Sequence, residues 1–117
     1  TLARFKQVLG ERVADVRTTN RLSGSVARLV DPEGALNQEM QRVYRLVDKD
    51  YEVPKKVLEL NPRHKIISRL NGLPEDSPLA QAVIEQIYES ALLVEGLHPN
   101  PAGMIERIQQ LIEAALE

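Results

Sequence analysis

Residues 55–70 read KKVLELNPRHKIISRL, and the change of period within this stretch decides the fold class. From Lys55 to Leu60 the run is short, apolar at Val57, Leu58 and Leu60, and entered through Pro54, which the first position of a strand tolerates. Asn61-Pro62 ends it. Ile66, Ile67 and Leu70 then recur at helical spacing, which predicts a short helix from His64 to Leu70 with those side chains turned inward. The same punctuation returns at Ser77-Pro78 and Asn100-Pro101, each ahead of another periodic apolar segment. A proline at the first helical position gives up an N–H that has no intrahelical partner, and it biases the residue before it toward the extended conformation of a cap. A pattern repeated for one structural purpose is helix punctuation, so His64 reads as part of a capping turn rather than as a reactive group.

Upstream of this stretch the periods alternate. Leu2, Phe5, Val8 and Leu9 fit a helix stopped by Gly10. Glu11 to Thr19 alternates, with Ala14, Val16 and Thr18 on one face, and reads as a strand. Ser23-Gly24-Ser25 supplies a turn, and Val26 to Val30 gives a second strand closed by Asp31-Pro32-Glu33-Gly34; the economical expectation is that these two strands pair as a hairpin. Leu36 to Asp48 returns to helical period, with Leu36, Met40, Val43 and Val47 in a stripe, Tyr44 beside it, and Gln38, Gln41, Arg42, Arg45 and Lys49 opposite. The predicted fold is therefore α+β, a small three-stranded sheet packed with helices in the order α-β-β-α-β-α-α-α.

The last two helices carry most of the functional signal. Leu79 to Glu95 is apolar on more than one side, through the rows Leu79, Val83, Ile87, Ala91 and Ala80, Ile84, Tyr88, Leu92, with Leu93 and Val94 adding a flank. Pro101 to Leu116 bears a narrower face of Met104, Ile105, Ile108, Leu111, Ile112 and Ala115. Each large aliphatic side chain is worth ~1.5–3 kcal/mol when buried, so a face of this size needs cover. Two covers are open: packing on the preceding helix of the same chain, or pairing of both helices with a second copy in a four-helix bundle about a twofold axis. The stripe from Leu36 has the same choice between packing on its own sheet and serving as a binding surface.

Composition removes several classes of function. The 117 residues suffice for one domain, and 43% apolar with 27% charged is ordinary for a globular protein. A net charge of -2 with interspersed signs offers no footprint for nucleic acid, and Arg12, Arg17, Arg21 and Arg28 read as solvated sheet-face arginines. No run is long and apolar enough to predict a membrane span or a leader segment. Zero cysteines exclude disulfides and thiolate zinc sites and suit a reducing compartment, so a cytoplasmic location is expected. The histidines His64 and His98 have no ligand set at metal-binding spacing, and Ser23-Gly24-Ser25 lacks the strand-to-helix context of a nucleophile elbow; neither a metal nor a catalytic constellation is expected. The chain opens on Thr1, and we expect it to be a piece of a longer polypeptide.

Three segments, FKQVLGERVADVRTTNRLSGSVARLV, VLELNPRHKII and ESALLVEGLHPNPAGMIERIQQLI, occur in this order along nearly the whole chain. Together they resemble the C-terminal domain of the heat-shock protein 90 chaperones, in their bacterial high-temperature protein G branch. The most specific pieces are Arg21-Leu22, the run Leu60-Asn61-Pro62-Arg63-His64, and Ala91-Leu92-Leu93. The resemblance implies a homodimerisation domain of an ATP-driven chaperone, with ATP and magnesium bound in an N-terminal domain outside these residues and no cofactor here. It implies a dimer interface at Ile84, Ile87, Ala91, Leu92, Ile105, Ile108, Leu111 and Ile112. It also implies contact with non-native client proteins through Leu36, Met40, Val43 and Tyr44. The alternative is a monomeric peptide- or protein-binding module working through that same amphipathic helix. Val26 stands where the family usually has proline, and the chain ends Ala114-Ala115-Leu116-Glu117 rather than in the acidic tail that recruits tetratricopeptide co-chaperones, so no such docking is expected.

Overall fold

The structure, a computed structural model, describes residues 1–32, 40, 43, 46–47 and 55–117. Helix α1 (Leu2–Leu9) turns Phe5 and Leu9 into the core and stops at Gly10, whose φ of +53° is a conformation that glycine adopts without steric cost. A 3-10 turn, Gly10–Arg12, leads to β1 (Asp15–Thr18); β2 is Ala27–Val30 and β3 is Val57–Leu60. Three helices follow: α2 (Lys65–Leu70), α3 (Pro78–Val94) and α4 (Ile105–Leu116). Between β2 and β3, residues 40, 43, 46 and 47 are helical, in keeping with the expected helix, while Leu36 and Tyr44 lie outside the described residues.

The α+β class and the three-stranded sheet are as expected, but the pairing is not. The strand order is β1-β3-β2, with β3 parallel to β1 and antiparallel to β2. The expected β1–β2 hairpin does not form; β3 takes the place between them. The physical reason lies in side-chain burial. All four residues of β3 are buried, as a central strand covered on both faces requires, whereas β1 buries only Val16.

In register, Val16 and Leu29 flank Leu58 on one face of the sheet. That face meets α1 and α3, and Phe5, Leu9, Leu60, Ile67, Leu70 and Ile84 complete the core. On the next rung, Arg17 and Arg28 flank Glu59 from both neighbours. Arg17 Nε donates to Glu59 Oε2 at 2.8 Å and Arg28 Nε to Oε1 at 2.7 Å, while Arg12 pairs with Glu85 at 2.9 Å. These three arginines are thus bound to carboxylates rather than simply solvated.

The turn at 61–64 is also built differently from its expected form. Asn61 is buried and its amide spans the turn, Nδ2 donating to Ser25 O at 3.2 Å and Oδ1 accepting from Arg63 N at 3.1 Å. The residue that caps α2 is His64, whose Nδ1 accepts from Ile66 N at 3.1 Å. Of the three side chains expected inward, Ile67 and Leu70 are buried and Ile66 is exposed. At the other end of α2, Arg4 Nη1 donates to the carbonyls of Leu70 at 3.1 Å and Leu73 at 2.9 Å, placing a cation where the helix dipole favours one.

Candidate functional site

Helix α3 begins as its sequence requires. Ser77 Oγ accepts from Ala80 N at 3.2 Å and Pro78 occupies the first turn. Its end is a Schellman motif: Gly96 at φ +70° donates to Leu93 O at 3.0 Å, Leu97 N donates to Leu92 O at 2.9 Å, and Leu97 is buried. The chain then reverses through Asn100-Pro101, which opens the 3-10 turn Pro101–Met104 without a side-chain cap; α4 proper starts at Ile105, later than expected.

The eight residues expected at a self-association interface fall into distinct environments. Ile84, Ile87 and Ala91 are buried in the chain's own core, Ile84 completely so at 0% exposure. Leu92, Ile108 and Leu111 are half-buried, and Ile105 and Ile112 are each 52% exposed. Helix α4 contains no buried residue along its length; Met104, just ahead of it, is the apolar anchor that fixes its start. Leu116 at 82% and Val94 at 82% add outward apolar surface that the expected set did not include. A second apolar surface lies at the expected client helix, where Met40, Val43, Leu46 and Val47 are all exposed.

A polar cluster joins α3 to α4. Glu89 Oε1 lies 2.7 Å from His98 Nε2, and Glu89 Oε2 lies 2.6 Å from Arg107 Nη1. His98 Nδ1 accepts from Asn100 N at 3.0 Å, so Nε2 is the nitrogen that carries the proton and donates to Glu89. No acidic residue adjoins His98 in sequence; Glu89 lies on the preceding helix, beyond the cap that reverses the chain, so only the fold brings the two together. Elsewhere on α3, Tyr88 donates to Arg12 O at 3.2 Å; burial raises the pKa of its phenol, with Arg12 opposing and Glu89 adding to the shift.

Among the described residues there is no group of three or more His, Asp or Glu side chains that could hold a metal, and no helix is long and apolar enough to cross a membrane. What these residues offer is apolar surface carried on helices.

Residues 1–117 match the family described as Hsp90 protein. The chain is 41% identical over 117 residues to the Chaperone protein HtpG of Chlorobium phaeovibrioides, covering 97% of this chain and 19% of that protein. It is 42% identical over 118 residues to the protein of the same name from Oleidesulfovibrio alaskensis, covering 97% and 18%, and 37% identical over 109 residues to that of Legionella pneumophila, covering 92% and 17%. The chain thus spans about a fifth of the length of these relatives. With a match along its whole length and the α+β architecture just described, the chain belongs to the Hsp90 family of chaperones.

Proposed function

We propose that this chain is the self-association segment of an ATP-driven, cytoplasmic chaperone, joining two copies through α3 and α4 in a four-helix bundle and carrying no catalytic chemistry of its own. ATP and magnesium would act in a part of the parent protein outside these residues. The observation that carries this reading is α4. It is a twelve-residue helix with no buried side chain, yet Ile105, Ile112 and Leu116 share an outward stripe with Ile108 at its edge. The i, i+3, i+7, i+11 spacing of these residues is that of a helix seam. Because Ile84, Ile87 and Ala91 are already enclosed, the contact would rest on the α4 stripe and the outward end of α3 at Leu93 and Val94. A patch that meets itself across a twofold axis doubles its buried area at no further cost in sequence. Linking two protomers here would raise the effective concentration of the arms attached upstream.

Light scattering across a dilution series tests this. The expected result is a mass that falls from two chains to one on dilution, and a strict monomer at tens of micromolar would remove the reading. The double variant Ile105→Glu with Ile112→Glu should give folded monomers.

A second surface would contact non-native clients. The exposure of Met40, Val43, Leu46 and Val47 favours it, since clustered outward apolar side chains mark an interaction surface and the flexible thioether of Met40 adapts to varied apolar partners. Perturbation of the Met40 methyl resonance by an unfolded polypeptide is the expected outcome; no change at saturating polypeptide would count against it.

A further inference from the structure

The position of α4 poses a mechanical problem. Helix α4 buries no side chain fully: Met104 anchors its start, and along its length only half-buried side chains such as Ile108, Leu111 and Ala114 back it, so apolar packing leaves its tilt loosely fixed. A self-docking stripe, by contrast, tolerates little variation in tilt, because knobs must meet their holes over several turns. A directional polar contact between α3 and α4 would narrow the angle that this partial packing leaves open.

Glu89, His98 and Arg107 have the required arrangement. Their side chains are 17%, 5% and 20% exposed, so the cluster is largely shielded from water, where charge-assisted hydrogen bonds hold geometry best. Arg107 lies in the first turn of α4, where the helix dipole disfavours a cation, so its position is costly unless a carboxylate faces it. Its other contact, from Nη1 to Gln86 Oε1 at 3.5 Å, also reaches α3. His98 uses both ring nitrogens within the cluster, one toward α3 and one toward the backbone at Asn100, so the reversing loop cannot shift without breaking one of them.

We propose that Glu89 is the pivot of the α3–α4 hairpin: its two oxygens hold the loop through His98 and α4 through Arg107, and this clamp fixes the angle at which the α4 stripe is offered to a second copy of the chain. Glu89, His98 and Arg107 are positioning residues in this scheme, acting through the backbone of α4. The last step rests on the self-association reading above.

The experiment compares the chain with Glu89→Gln, His98→Ala and His98→Gln variants, measuring the dimer dissociation constant by sedimentation, amide exchange at Asn100, and the His98 tautomer from its ring nitrogen resonances. Glu89→Gln and His98→Ala should each weaken the dimer about tenfold, the scale expected for losing one charge-assisted hydrogen bond, and should speed exchange at Asn100 by a similar factor. His98→Gln, whose amide can still donate to Glu89, should recover part of the affinity. Ile84→Val, which loosens the core without touching the clamp, should leave the dissociation constant unchanged, so general destabilisation cannot imitate the result. Folded variants with unaltered affinity would overturn the proposal, as would a His98 ring protonated at Nδ1 or an Asn100 amide that exchanges at the rate of open loop. A wild-type chain that stays monomeric overturns the self-association reading and the last step here with it, whereas slow exchange at Asn100 that Glu89→Gln abolishes still establishes the clamp.

Discussion

Glu59 is the residue whose role the sequence concealed most. In VLEL it reads as the polar member of a strand, yet it is buried and receives an arginine from the strand on either side. Burial alone would raise its pKa; hydrogen bonds from Arg28 and Arg17, with their charges, more than reverse this and hold the carboxyl below its ordinary value. A depressed folded-state pKa contributes stability that is fully present above the unfolded value near 4.5 and is lost as pH falls through the lower folded value. Glu59→Gln should therefore destabilise the chain at neutral pH by about 1–3 kcal/mol and flatten the acid limb of its stability curve, as read by chemical denaturation between pH 6 and pH 3. The flattening is partial, because Asp15 is lowered too, by the Val16 backbone N–H and by Lys6. His64 can be treated in the same way. As the cap of α2 its value lies in one acceptor atom, so His64→Ala should cost about 1 kcal/mol in thermal unfolding while His64→Asn, which keeps an acceptor at that reach, should cost much less.

At the level of elements, the period of the sequence located most helices and strands but could not assign their neighbours. Gly10 and Ser77-Pro78 carry local signals, and local signals were legible: α1 stops and α3 starts where they stand. Replacing Ser77 with alanine should accordingly destabilise the chain by about 1 kcal/mol, with unfolding that remains a single transition. Strand pairing is non-local. The Ser23-Gly24-Ser25 turn announces a reversal of direction but not the partner, and the one cue to a central β3 was compositional: Val57, Leu58 and Leu60 are denser in apolar side chains than DVRT and bulkier than the Ala27, Leu29 and Val30 of ARLV. The boundary of α4 shows a different failure. Asn100-Pro101 resembles Ser77-Pro78 in sequence, yet it opens a 3-10 turn with no side-chain cap, because the chain there must reverse across the Schellman end of α3. The Glu89–His98 pair was illegible for the same reason, since its members belong to elements on either side of that reversal.

At the scale of the whole molecule, the apolar content of the last two helices has to be divided between the chain's own core and a possible partner, and periodicity could not make that division. A repeat says which side chains share a row; only the placed sheet says which row is enclosed. The core took Ile84, Ile87 and Ala91 and left Ile105, Ile112 and Leu116 outward. Two substitutions of similar sequence standing should then behave in opposite ways. Ile84→Ala removes a fully enclosed side chain and leaves a cavity under the sheet, which should lower the unfolding free energy by about 2–5 kcal/mol while, on the self-association proposed above, the folded fraction should still assemble. Ile112→Glu places a charge on exposed surface, where most substitutions cost less than about 0.5 kcal/mol, yet it should abolish assembly. The comparison needs dilute protein, because association stabilises the folded state by mass action and would lend the parent an apparent advantage that Ile112→Glu lacks. Unfolding measured at a concentration where the parent is monomeric, together with mass measured where it is associated, separates the two quantities. If Ile112→Glu lost chain stability as heavily as Ile84→Ala, the outward stripe would be part of the core, and α4 would have no surface left to offer a second copy.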